Sequence, residues 1–105
     1  MQLFEVQRKI KKFTEDKQIN SPVEIRILDL ASEVGELSKE VLKSTNYGEK
    51  EFKKTKGWDN EIGDVLFSII CIANETDTNL EDSLNLVLEK YEKRFASKGN
   101  IGSCR

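Results

Sequence analysis

Apolar residues recur at three- and four-residue intervals through most of this chain, and four separate stretches carry the pattern. Leu3, Val6, Ile10 and Phe13 predict a first helix from Gln2 to Asp16. Ile27, Leu30, Val34, Leu37 and Val41 form one stripe of a second helix, from Pro22 to about Ser44. Ser21, Pro22 and Glu24 supply an N-cap, a first helical position and a first-turn acid for it. A polar, glycine-punctuated connection, STNYGEKEFKKTKGW, leads to a third helix from Trp58 or Asp59 to about Glu75. TDTN breaks that helix, and Asn79 can cap a fourth reaching about Ala96, with Leu80, Leu84, Val87, Leu88 and Tyr91 on its buried face. The ending SKGNIGSCR reads as irregular. The expected fold is all-α, a four-helix, bundle-like domain over residues 1–105, with no repeat or low-complexity segment.

The third helix differs in kind. From Ile62 to Ala73 it reads IGDVLFSIICIA, apolar on nearly every side. Such a helix belongs at the centre of a bundle or across a subunit interface. Glu61 and Asp64 stand at its start, where isolated carboxylates are costly.

Composition narrows the chemistry. Charged residues make up 34% of the chain, mixed in sign, with a net charge of −2, so the basic stripe of a nucleic-acid binder is missing. There is no histidine, which removes Ser-His triads, His-containing zinc sites and Glu-x-x-His di-iron sites. Cys71 and Cys104 make no CxxC, so a reducing cytoplasm is the expected location, with Cys71 a small core residue and Cys104 a free thiol. MQLFEVQRKIKKF lacks the apolar run of a signal peptide, and Val65 to Ala73 is too short to span a bilayer.

The remaining candidates are carboxylates. EVGELS at 33–38 and EIGDVL at 61–66 carry the same arrangement, two acids three apart around a glycine. At helical period Glu33 and Glu36 share a face, which Glu40 extends by a turn, and Glu61 and Asp64 share another that continues through the small residues Ser68 and Cys71. If the second and third helices are antiparallel neighbours, four carboxylates converge. They then repel unless they stay in water or a cation holds them. An oxygen-only ligand set suits a hard divalent ion such as Mg²⁺, with Mn²⁺ a possible substitute. Each glycine costs about 1 kcal/mol in a helix relative to alanine, so a compensating role, such as close approach of a helix or substrate, is expected. An isolated ExxE is usually a solvated helix face; two such pairs, one on a mostly apolar helix, are harder to dismiss.

At these residues the chain resembles the all-α nucleoside triphosphate pyrophosphohydrolases, and more narrowly the MazG-type single-domain members. The likeness rests on E-x-x-E, a gap of 24 residues and E-x-x-D, and on SPVEIRILDLASEVGELSKE, EIGDVLFSIICIANETDTNLEDSLNLVLEKYEKRF and the closing KGNIGS. It is weakest over residues 1–20 and 44–57. The resemblance implies Mg²⁺-dependent hydrolysis of a nucleoside triphosphate to monophosphate and pyrophosphate, with Glu33, Glu36, Glu61 and Asp64 matching the metal ligands. It also implies dimers, or dimers of dimers, with nucleotide near a subunit interface. Two positions depart from the usual pattern: Ser32 stands where a further acid is common, and Leu88 where an asparagine is.

Within this expectation water attacks the α-phosphorus, and Glu36 is the acid assigned to take its proton, although the residues alone do not single it out. Lys90 and Arg94, four apart, are candidate phosphate contacts, or an ordinary charged helix end. Trp58 either stacks on a base or anchors the start of its helix. Asn74 either bonds a ribose or base or caps its helix. The competing readings are a phosphoribosyl-ATP pyrophosphohydrolase and a non-catalytic helical interaction module.

Overall fold

The computed structural model describes residues 2–99, which form four helices and, among the described residues, no strand. They are α1 (Leu3–Asp16), α2 (Val23–Thr45), α3 (Trp58–Glu75) and α4 (Leu80–Lys98). Each lies within two residues of where the apolar periodicity sets it. Cys104 and most of the glycine-rich ending fall outside the described residues.

The helix ends show which local signals operate. Asn79 caps α4 through its side-chain oxygen, which accepts from the Asp82 N–H at 3.0 Å. Ser21 does not cap α2. Pro22 itself, extended at φ −57° and ψ 154°, is the flanking residue, and its carbonyl accepts from Ile25 and Arg26 at 3.0 and 3.1 Å. The serine therefore sits one residue too early. At the other end of α2, Asn46 takes the left-handed conformation (φ 47°) that asparagine tolerates better than most residues, ending the helix.

α3 is central: α2 packs along one side of it and α1 against another, while α4 is attached to α1. Three juxtapositions show that α2 and α3 run antiparallel. Glu40 lies beside Gly57, Glu33 beside Glu61 and Asp64, and Arg26 beside Cys71. The buried apolar side chains are Ile70, Cys71 and Ala73, all on α3, joined by Ser68. Ser68 and Cys71, expected to leave room beside the acids, are filled in by this core instead. Burial pushes the Cys71 thiol upward, with Arg26 opposing. Among the described residues, Ile70 is the most deeply buried of these side chains, 2% exposed. Ile70→Ala is expected to cost about 2–5 kcal/mol, seen as a drop of roughly 4–8 °C in melting temperature per kcal/mol for a chain of this size.

α1 is held to the α3–α4 corner by Gln7, a residue with no local signal to single it out. The buried Gln7 side chain donates to Asn74 Oδ1 (3.2 Å) and the Thr78 carbonyl (2.8 Å) and accepts from the Leu80 N–H (2.9 Å). Asn74 Nδ2 returns a bond to the Gln7 carbonyl at 3.1 Å. The buried Arg26 guanidinium likewise donates to the Ile19 carbonyl, tying α2 to the α1–α2 connection.

One chain does not close on itself. Its radius of gyration is 16.8 Å, against about 13 Å for a compact domain of this length. The stripe expected to be the buried face of α2 is half open, with Ile27, Val34 and Val41 all exposed. On α4, Leu84 and Leu88 are exposed too, and on α3 so are Ile62, Leu66 and Ile69. The periodicity located the helices correctly, but these apolar faces are not covered within one copy.

Candidate metal centre

Antiparallel packing of α2 on α3 brings the two acidic words of the sequence together. Glu33, Glu61 and Asp64 each present a carboxylate oxygen within 4.8 Å of the others, and all three side chains are half-buried. The i, i+3 spacing puts Glu61 and Asp64 on one face of the first turns of α3, and Glu33 faces them from the middle of α2.

Glu61 is the most constrained of the three. Its Oε2 is shut away from solvent with no hydrogen-bond partner. Burial, and then the negative charges of Asp64, Glu33, Glu36 and Glu40, push its carboxyl above the usual range. A desolvated carboxylate facing four other acids is unfavourable unless a proton or a cation compensates. An oxygen-only donor set containing an orphaned carboxylate oxygen fits a hard divalent cation, and the absence of histidine and thiolate ligands argues against a softer one.

Glu36, expected as the fourth member, is turned aside. It is exposed and lies 3.5 Å from Lys39 Nζ, so three acids rather than four converge. It remains close enough for its charge to raise Glu61. The glycines also behave differently from expectation. A Cβ at Gly35 or Gly63 would meet nothing within 4 Å, so neither is needed for α2 and α3 to approach each other. Both face open space beside the acids.

The predicted substrate contacts scatter. Lys90 and Arg94 line a shallow groove on α4 with Leu86, Glu89 and Lys93. Since α4 packs on α1, the fold of one chain does not bring them to the acids. Asn74, expected either to bond a ribose or base or to cap its helix, has both ends of its amide engaged by Gln7. Trp58 is half-buried and meets Phe52 edge-on at 5.0 Å between ring centroids, as an anchor for the start of α3 would. Glu40 and Gly57 lie at the same end of the α2–α3 pair. Glu40 is recognisable in the sequence as the next turn of the acid lane, whereas Gly57 carries no such signal.

Four helices whose antiparallel central pair gathers acids into an oxygen-only cluster define an all-α protein with a candidate divalent-cation site. The chain belongs to the MazG nucleotide pyrophosphohydrolase domain family, whose model matches residues 23–97. It is 44% identical over 68 residues to the uncharacterized protein YpjD of Bacillus subtilis (strain 168), a match spanning 62% of this chain and 60% of that relative's length. It is also similar to the crystal structure of YpjD from Bacillus subtilis, described as a candidate pyrophosphatase. There the identity is 32% and the TM-score 0.75, over 90% of this chain and 96% of that one. No helix among the described residues is long and apolar enough to cross a membrane.

Proposed function

We propose that this chain hydrolyses a (deoxy)nucleoside triphosphate to the monophosphate and pyrophosphate, using Mg²⁺ or, as a substitute, Mn²⁺. The observation that carries the reading is the meeting of Glu33, Glu61 and Asp64 around a carboxylate oxygen with no partner, in a chain of the MazG family. These three residues would hold the cation, with Glu36 close by. When bound, the ion supplies positive charge that offsets the triphosphate and acidifies a water. Glu36, exposed and only loosely paired with Lys39, is free to swing and take a proton from the attacking water.

The working unit is taken to be a homodimer or homotetramer of single-domain chains, with α1 part of the domain through the Gln7 clamp. The accessible surface of 8066 Å² exceeds by a wide margin the roughly 6,000 Å² of a compact monomer of this mass. The excess, about 2,000 Å² on one chain, is more than the roughly 800 Å² each partner buries in a standard interface and falls in the range of larger, obligate ones. Lys90 and Arg94 stand on α4, which packs on α1 and not chiefly on the α2–α3 pair that carries the acids, so phosphate contact from them is proposed to come from the α4 of another copy.

The test is release of pyrophosphate from standard and damaged (d)NTPs and from phosphoribosyl-ATP, with and without Mg²⁺. Turnover of at least one nucleoside triphosphate only with the metal is expected. Turnover of phosphoribosyl-ATP alone would reassign the substrate, and no Mg²⁺-dependent turnover of any would refute the reading.

A further inference from the structure

One turn beyond Glu36, Glu40 makes contacts that no metal ligand needs. Its side chain is only 13% exposed although it sits on the outer lane of α2. It accepts a hydrogen bond from Thr55 Oγ1 at 2.9 Å, across fifteen residues of sequence, and Lys43 Nζ lies 3.9 Å away. Its other side presses on Gly57: a Cβ at that glycine would stand 2.8 Å from Glu40 Oε1. Gly57 has φ −89° and ψ −4°, a conformation open to any residue. The backbone would accept another residue at position 57, but a side chain there would have to displace the Glu40 carboxylate that lies against it.

From Gly57 the connection to the candidate metal centre is short. The Gly57 carbonyl accepts from the Glu61 N–H at 3.1 Å, and the Thr55 carbonyl accepts from the Trp58 N–H at 3.3 Å. Both ends of the Glu40 contact therefore act on the residues that open α3. Elsewhere the connection is held to α2 by Ser44, whose hydroxyl both donates to the Lys53 carbonyl and accepts from the Lys53 N–H, the latter at 2.7 Å. The Ser44 bonds fix the approach of the segment, and Glu40 fixes where the helix begins.

We propose that Glu40 is a positioning residue. By latching Thr55 and Gly57 to α2, it sets the position of the first turn of α3, and so the distance of Glu61 and Asp64 from Glu33. This rests on the reading of Glu33, Glu61 and Asp64 as a divalent-cation site. Glu40 acts through its shape and its acceptor oxygen, and it is not itself a ligand. Partners that orient metal ligands typically change metal affinity by about 10–100-fold when removed.

The test is Mn²⁺ affinity, from the EPR signal of free Mn²⁺, in the intact chain and in Glu40→Ala, Glu40→Gln, Thr55→Val, Gly57→Ala and the Glu40→Ala/Gly57→Ala double variant. Melting curves in chelator check that each is folded. Glu40→Ala and Gly57→Ala should each weaken Mn²⁺ binding by about tenfold or more. The double variant should be no weaker than the weaker single, because alanine at position 57 clashes only with the carboxylate. Glu40→Gln keeps an acceptor for Thr55 and should bind within about twofold of the native chain, the scatter of non-interacting changes. Thr55→Val, which keeps the packing, should weaken binding in the direction of Glu40→Ala. Native-like affinity in Glu40→Ala, additive losses in the double variant, or equal losses in Glu40→Gln and Glu40→Ala would overturn the positioning role. Should the native chain itself not bind Mn²⁺, the reading of the acids as a cation site fails, and this inference with it.

Discussion

Glu61→Gln is expected to abolish Mg²⁺-dependent turnover, a loss of about 10³-fold or more, while making the metal-free protein more stable near neutral pH. The two effects share one cause. Glu61 Oε2 is closed off without a hydrogen bond, and its carboxyl is pushed above the ordinary value of 4.5 by burial and by its acidic neighbours. A carboxyl raised on folding contributes stability that is fully present below its unfolded pKa and is lost as pH rises through the folded value. Without metal, native melting temperatures should therefore lose this contribution as pH rises from about 4.5 through the raised value. Glutamine removes that dependence. With metal the order reverses: a cation present at about 100 times its dissociation constant adds about 2.7 kcal/mol to the native chain and little to the variant. Asp64→Asn and Glu33→Gln should also lose turnover. Glu36→Gln should lose turnover with less effect on metal binding, because Glu36 stands outside the cluster of three. Full activity in two or more of the four amide variants would sink the assignment.

Leu66→Glu is expected to break the assembly into single chains and to lower the melting temperature sharply. Leu66 lies at the middle of the open face of α3, 49% exposed, between Ile62 and Ile69 at helical spacing. If that face is covered by a second copy, the new carboxylate is buried without a partner, which costs several kcal/mol. Multi-angle light scattering should show an oligomer for the native chain and a monomer for the variant. Since so few apolar side chains are buried in one copy, the separated chain should melt earlier and at a temperature independent of concentration, whereas a native oligomer should melt higher as its concentration rises. An unchanged mass and melting curve would show that α3 is not the joining surface.

Periodicity located all four helices because each carries an apolar stripe whatever that stripe eventually touches. For the same reason it could not tell a stripe buried within the chain from one that stays open on it, and Leu88, read as part of a buried face, stands exposed, as does Val34 in the stripe of α2. The acids were legible because Glu33, Glu61 and Asp64 repeat a helical spacing on two helices with a short route between them. Glu36 follows the same spacing, but so does Lys39, three residues further on, and periodicity alone does not decide which of the two faces Glu36 joins. Gln7 and Asn74 were opaque for a different reason. Their pairing joins residues 67 apart, and a buried amide clamp has no local sequence signature. Gly57 is similar: the group its missing side chain leaves room for is a carboxylate seventeen positions earlier, on α2.

The central claim is that three carboxylates on α2 and α3 support metal-dependent hydrolysis between the α- and β-phosphates. The direct measurement is a single reaction in ¹⁸O-labelled water with Mg²⁺ and a nucleoside triphosphate substrate, its products resolved by mass spectrometry. The expected result is label in the nucleoside monophosphate, unlabelled pyrophosphate, and no reaction in chelator or with Glu61→Gln. Label in pyrophosphate, release of orthophosphate with nucleoside diphosphate, or equal turnover without the metal would contradict it.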